Sequence, residues 1–152
     1  MVIRPPQLAG QLAWVASLVF LIGCGPSARQ GVVVSGTVSL ENDTPLSGAV
    51  ITFEPQPGTA GPNASAPVFD GRFEITADAG LAPGGYVVRI AMMPPELLNA
   101  LPEAQRASLP KQGSVIAPQF DGNSQLKCEL PTESGEPLTY RIQFLRSRSS
   151  RT

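Results

Sequence analysis

Residues 83–91 have the sequence Pro-Gly-Gly-Tyr-Val-Val-Arg-Ile-Ala, and they indicate the fold class. Tyr86, Val88 and Ile90 occupy every second position, which is the spacing of a strand with one buried face. The preceding Pro-Gly-Gly disfavours a helix, because proline and glycine are the two poorest helix formers. We therefore predict a strand in which the Tyr86 ring enters the core while its hydroxyl reaches a backbone partner.

The same period of two recurs along the chain. The further strands are predicted around residues 34–40, 49–53, 67–69, 73–75, 126–130 and 138–144. Asp70-Gly71 is typical of a hairpin, because both central residues of a type I′ turn need a positive φ. With 16 prolines, 15 glycines and only 15% charged residues, the chain is expected to be all-β. We predict a single seven-stranded antiparallel β-sandwich with turns at short intervals.

Two segments do not follow this pattern. Residues 94–118 are predicted to be an irregular or short-helical insertion, broken at Pro102 because proline cannot continue a helix. Residues 146–152 form a basic tail that we expect to be disordered. The domain is accordingly assigned to residues 32–145.

The insertion is the candidate contact surface, since most connections between strands take only about 4–6 residues. Its candidate residues are Leu97, Leu98, Leu101 and Arg106. The alternative is that these leucines cover one open edge or end of the sheets.

The N-terminus has the features of an export signal. The apolar run at residues 12–22 is shorter than the roughly 20 residues of a spanning helix and fits the apolar region of a signal peptide. It ends in Leu-Ile-Gly-Cys at residues 21–24, which resembles the bacterial lipobox. We predict a signal peptide over residues 1–23, cleavage after Gly23, lipidation of Cys24 and a tether over residues 24–31.

In Gram-negative lipoproteins a residue other than Asp after the lipidated cysteine favours the outer membrane. Here Gly25 and Pro26 follow Cys24. The expected location is therefore the cell envelope, with the lipid anchored in the outer membrane.

Several motifs resemble carboxypeptidase regulatory-like domains. The matching segments are VSGTV at 34–38, PLSGA at 45–49, ITFEP at 51–55, DGRF at 70–73 and PGGYVVR at 83–89. The resemblance covers residues 32–145 and implies a transthyretin-like β-sandwich. Residues 116–126 also resemble small exported lipoproteins of the planctomycete type. These motifs consist of turn and core residues, which specify a fold better than a function.

Composition excludes several kinds of chemistry. The chain has no histidine, which excludes a Ser-His or Cys-His nucleophile and histidine ligation of a metal. The net charge of −1 argues against a nucleic-acid partner. Asp43, Asp70, Asp78 and Asp121 fall in turns, where aspartate stabilises the local backbone. We therefore expect no catalytic residue, no metal and no cofactor.

The remaining functions are two. The first is a non-enzymatic, membrane-anchored lipoprotein whose β-sandwich is structural or mediates interaction with an envelope protein. The alternative is a module that binds an envelope glycan or another ligand through the 56–66 and 94–118 loops. The second cysteine, Cys128, shares the inward parity of Leu126 and Leu130, and we expect it to be a buried free thiol.

The lipobox gives the first testable prediction. Replacement Cys24→Ala is expected to release the protein from membranes and to abolish labelling by a clickable palmitate analogue, because it removes the sulfur that carries the lipid. Cys128→Ala is the matched control, since it removes the only other thiol and should leave labelling intact. Full labelling of the Cys24→Ala protein would disprove the assignment.

Overall fold

The computed structural model describes residues 31–111, 113–132 and 135–145. The described residues contain seven strands, and the all-β fold class is confirmed. The strands are β1 (Val34–Leu40), β2 (Ala49–Pro55), β3 (Ala64–Val68), β4 (Arg72–Ile75), β5 (Gly84–Met92), β6 (Lys127–Leu130) and β7 (Leu138–Ile142). The short helices are α1 (Pro95–Asn99) and α2 (Glu103–Arg106), and single 3-10 turns lie at Ala77–Ala79 and Pro118–Phe120.

The strands form two sheets. One has three strands in the order β4-β1-β7, and the other has four in the order β3-β2-β5-β6. Buried residues from both sheets belong to one core cluster. The alternation predicted from sequence is confirmed, since Val34, Val38, Ile51, Phe53 and Ile90 all lie in this core.

One pairing differs from the antiparallel prediction. β1 and β7 run parallel, with Gly36 opposite Leu138 and Leu40 opposite Ile142. The reason is the topology: β6 and β7 lie in different sheets and do not form a hairpin, and the neighbour of β7 in its own sheet is β1. Only strands joined by a tight turn must run antiparallel, and β1 and β7 are far apart in the chain. The other described strand pairs are antiparallel.

β3 begins earlier than predicted. The sequence pattern placed a loop up to Ser65 and a strand at 67–69, whereas the strand spans Ala64–Val68. Ala64 and Ala66 face the core. Because alanine is small and only weakly apolar, the alternation of buried and exposed residues could not be recognised in the sequence. Pro67 is tolerated because β3 is an edge strand of its sheet, where a missing N–H breaks no pairing.

The predicted hairpin turn is confirmed. Asp70 and Gly71 have φ values of 48° and 71°, as a type I′ turn requires. The backbones of Phe69 and Arg72 exchange hydrogen bonds of 3.1 and 2.8 Å across it. The turn carries the chain from β3 in one sheet to β4 in the other.

Four aromatic rings connect the sheets through the core. Phe53 of the four-stranded sheet lies 6.0 Å from Phe73 of the three-stranded sheet, measured between ring centroids. Tyr86 meets Phe53 edge-on at 6.3 Å, and Tyr140 stacks on Phe73 at 6.4 Å. The Tyr86 hydroxyl donates to the Ala82 carbonyl over 2.7 Å, which confirms the partner predicted for it.

Gly36 is needed where β1 passes this aromatic chain. A Cβ atom at this position would lie 2.6 Å from the Phe73 ring and nearer still to the carbonyl oxygen of Leu138. Neither neighbour can yield easily, because one is backbone and the other is a core ring. The small residue therefore permits both the β1–β7 pairing and the aromatic contact.

Because of this close approach, we expect a single methyl group added at Gly36 to lower the stability of the fold strongly. Gly36→Ala is expected to lower the free energy of unfolding by at least about 2 kcal/mol through overpacking, measured by urea denaturation followed by circular dichroism. Gly122→Ala is the matched control, because a Cβ there meets no atom within 4 Å, and its effect should stay within about 1 kcal/mol. Equal stability of the two variants would contradict the close approach.

Candidate functional site

The 94–118 insertion contains the two short helices that the sequence predicted. Pro95 occupies the first turn of α1, where its missing N–H costs nothing. The Pro94 carbonyl accepts the N–H groups of Leu97 and Leu98 at 3.0 and 3.1 Å. The helix ends at Asn99, and a second turn starts after Pro102. The predicted break at Pro102 is therefore confirmed.

The four candidate contact residues do not form one uniform surface. Leu97 is 55% exposed and is one of four exposed large apolar residues in the described part of the chain. Leu98 and Leu101 are half-buried, and Arg106 is exposed. Leu98 and Leu109 pack together over Gly48, where a Cβ atom would lie only 2.5 Å from Leu109 and 3.1 Å from Leu98. The insertion thus covers one end of the sheets with some leucines and presents others to solvent.

A cleft of about 450 Å³ lies between the insertion and the end of β5. Its apolar wall contains Met92, Met93, Leu98 and Leu109, with Pro95 and Pro110 at its margins. Arg106 and Lys111 also line it, and no carboxylate does. The structure therefore adds Met92, Met93 and Lys111 to the candidate site. The available sequence signal was the Met-Met pair, where the alternation of β5 stops.

The segment at residues 115–122, which follows the cleft, is hydrogen-bonded to residues of both sheets or next to them. Ala117 donates to Gln143, and Leu145 donates to Val115, with distances of 3.0 and 2.7 Å. Farther along, the Arg89 guanidinium donates to the carbonyls of Asp121 and Gly122, each over 2.7 Å. The same guanidinium forms an ion pair with Glu54 at 2.7 Å. The segment that directly follows the insertion is thereby held by charge-assisted hydrogen bonds.

The two loops proposed for ligand binding lie at opposite ends of the sheets. The 56–66 loop lies near the start of β5, where Thr59 bonds to Gly85 and Gly61 lies next to Gly80. The insertion begins at the other end of β5, beyond Met92. The two loops therefore do not lie side by side, and the alternative of a ligand-binding module that uses both of them stays a prediction. Gly31 also lies at the 56–66 end, since it donates to Ala77 over 2.9 Å.

Cys128 is a free thiol, as predicted, but it is half-buried and packs against the core rather than lying fully inside it. Burial raises the pKa of this thiol, so the neutral, weakly nucleophilic form dominates near neutral pH. The neighbouring Tyr140 is only 7% exposed, and burial followed by the nearby Cys128 raises the pKa of its hydroxyl. Both groups therefore remain protonated at neutral pH.

The acidic residues do not converge. Asp70 accepts from Ser47, Asp78 accepts from Thr76, and Asp43 forms an ion pair with Arg141 at 2.7 Å. Residues 31–111, 113–132 and 135–145 contain no group of three metal-ligating side chains. Each aspartate is thus part of its own turn or surface contact.

No aromatic ring among the described residues is exposed, and Phe69, Phe120 and Phe144 are half-buried. Both tyrosines are buried, and the exposed large apolar residues are all aliphatic. The only tryptophan is Trp14, in the predicted signal peptide. This arrangement does not favour a lectin-type surface.

The predicted lipidation and cleavage residues, Cys24 and Gly23, lie outside the described residues, as does the 146–152 tail. None of the helices in the described ranges has both the length and the apolar character needed to cross a bilayer.

The two buried tyrosines yield a paired prediction. Tyr86→Phe is expected to lower the free energy of unfolding by about 1 kcal/mol, because it removes a good hydrogen bond. Tyr140→Phe should leave stability unchanged or raise it, because in the described structure the Tyr140 hydroxyl has no hydrogen-bond partner. The nearby sulfur atom of Cys128 is only a weak acceptor. Urea denaturation measures both; a larger loss for Tyr140→Phe would contradict this assignment.

Comparisons with family models, with curated proteins and with solved structures find no match to this chain. Any functional conclusion therefore rests on the residues and their geometry.

Proposed function

We propose that this protein is a non-enzymatic, lipid-anchored envelope protein whose β domain holds the 94–118 insertion away from the membrane and presents it to a partner. The lipid is attached at Cys24, and the fold is a transthyretin-like sandwich of the carboxypeptidase regulatory-like kind. The single observation that carries the proposal is the position of the insertion relative to the start of the domain.

The start of the domain and the insertion occupy opposite ends of the strands. Val32 donates to Leu81 near the start of β5, whereas the cleft lies beyond Met92 at its end. The nine residues of β5 span about 25–30 Å at the rise of a strand. A tether at residues 24–31 reaches at most about 25 Å when extended. An anchor at Cys24 therefore directs the 56–66 end toward the bilayer and the insertion away from it.

The sandwich assignment is supported by the two sheets and their common core. Side chains of Phe53 and Tyr86 from one sheet meet Phe73 and Tyr140 from the other. This arrangement is what two sheets packed face to face require. The parallel β1–β7 pair is compatible with it, since it places β7 at the edge of the smaller sheet.

A non-enzymatic role is supported by the chemistry of the described residues. The nucleophile with the best inherent reactivity, Cys128, is kept neutral by burial. The aspartates lie in separate turns, and the absence of histidine leaves no side chain whose ordinary pKa is close to neutral pH. The exposed Leu97 and Arg106, which both belong to the insertion, instead have the composition of an interaction surface.

A photo-crosslinking amino acid tests the proposal in intact cells. Placed at Leu97, it is expected to give a discrete adduct with an envelope component, because this side chain is exposed at the outer end of the domain. Placed at Val33, which is 59% exposed near the tether, it should react with lipid or give no adduct. Both variants keep Cys24 and therefore the anchor.

The proposal fails if the Leu97 position gives only lipid adducts, or if both positions give the same adducts. A second control addresses specificity. Arg106→Ser should reduce the Leu97 adduct. Arg72→Ser, which changes another exposed arginine on β4, should not.

A further inference from the structure

We propose that the cleft beside the insertion binds a small carboxylate amphiphile, a molecule with one apolar chain that ends in a carboxylate. The apolar chain lies against Met92, Met93, Leu98 and Leu109, and the carboxylate is held by Arg106 and Lys111. This inference rests on the proposed function in that it assigns a ligand class to the same outward-facing segment.

The dimensions of the cleft suit a small molecule. Its volume of about 450 Å³ falls within the roughly 300–1,000 Å³ of ligand sites, which are mostly apolar with a few polar groups. Larger but shallower depressions occur elsewhere, such as one of about 720 Å³ lined by Gln56, Gly85 and Glu129. That depression is lined largely by polar groups and glycine backbone, and it lacks a continuous apolar wall.

The apolar wall consists of two leucines that pack against the sheet and two methionines with flexible side chains. Leu98 and Leu109 rest on Gly48, whose φ of 72° and missing side chain allow the two leucines to approach the sheet. Met93 is almost fully buried and Met92 is half-buried against the core. Methionine side chains are flexible and polarisable, so they can follow the shape of an alkyl chain.

The charges in the cleft have a single sign. Arg106 and Lys111 line it together with no acidic residue, and both are exposed. The ion pairs in the described ranges involve Arg89 and Arg141 instead. Arg106 therefore offers a planar fork for a carboxylate and Lys111 a second positive charge. Glu96 and Glu103 belong to the two helices but do not line the cleft.

The position of the cleft selects the source of the ligand. Because the cleft faces away from the end that carries the tether, its occupant reaches it from the aqueous side and not from the supporting bilayer. The proposed ligand is thus a free, water-soluble carboxylate amphiphile, and a membrane headgroup is excluded from the proposal.

The methionines provide a direct readout. The chain has three, Met1, Met92 and Met93, and Met1 is lost with the predicted signal peptide. Labelling methionine methyl groups of the processed protein with carbon-13 therefore gives two reporters, and both lie in the cleft. The full, processed protein is reconstituted in nanodiscs of zwitterionic lipid and titrated with octanoate, with octanol as the uncharged probe of equal length. Octanoate is expected to shift both cleft methyl resonances in a saturable manner, and octanol to bind about tenfold more weakly.

Paired double variants test the charges. Arg106→Gln with Lys111→Gln is expected to weaken octanoate binding about tenfold or more and to leave octanol unchanged. Arg72→Gln with Lys127→Gln makes the same change of net charge at two exposed sites outside the cleft and should leave both titrations unchanged. The unliganded methyl spectrum of each variant reports whether the fold is intact.

Each remaining outcome overturns the proposal. No saturable shift with octanoate, equal binding of octanol and octanoate, or equal weakening by the two double variants would each do so. Binding of an acidic peptide without binding of octanoate would reassign the cleft to a protein partner. A negative titration combined with a specific Leu97 adduct would leave the proposed function standing and remove only the ligand class.

Discussion

The contact between Phe53 and Phe73 is the interaction on which the arrangement of the two sheets depends. It joins β2 of one sheet to β4 of the other at 6.0 Å, and Tyr86 and Tyr140 extend it on either side. Offset and edge-on geometries of this kind are the favoured arrangements of aromatic pairs. Gly36 makes the contact possible, because any larger residue on β1 would displace the Phe73 ring.

Once the sheets are closed around these rings, the strand ends become the surfaces available for function. The tether side holds Gly31 and the 56–66 loop, both bound by backbone or hydroxyl hydrogen bonds. The opposite side holds the insertion, which is packed over Gly48 and fastened farther along by Arg89. The proposed lipid anchor and the proposed binding surface therefore lie at opposite ends of the domain and do not compete for the same face.

The chemistry of the core and that of the insertion are opposite in kind. Cys128 and Tyr140 are kept neutral by burial, and the half-buried Cys128 lines the surface depression next to Glu129. Arg106 and Lys111 are charged, exposed and beside an apolar wall. The proposed recognition at the cleft therefore rests on an apolar wall that lies beside two exposed positive charges.

The sequence by itself determined the features that depend on near neighbours: the period-two strands, the type I′ turn at Asp70-Gly71, the Tyr86 position and the helix break at Pro102. Each follows from backbone preferences within a few residues. Only the tertiary structure decided the parallel β1–β7 pairing, the burial of Leu46 and Leu81, and the cleft that brings Met92 to Lys111. These features depend on contacts between segments far apart in the chain. Residues outside the strands, such as Leu46 and Leu81, are not part of a period-two pattern, so the sequence does not indicate that they are buried.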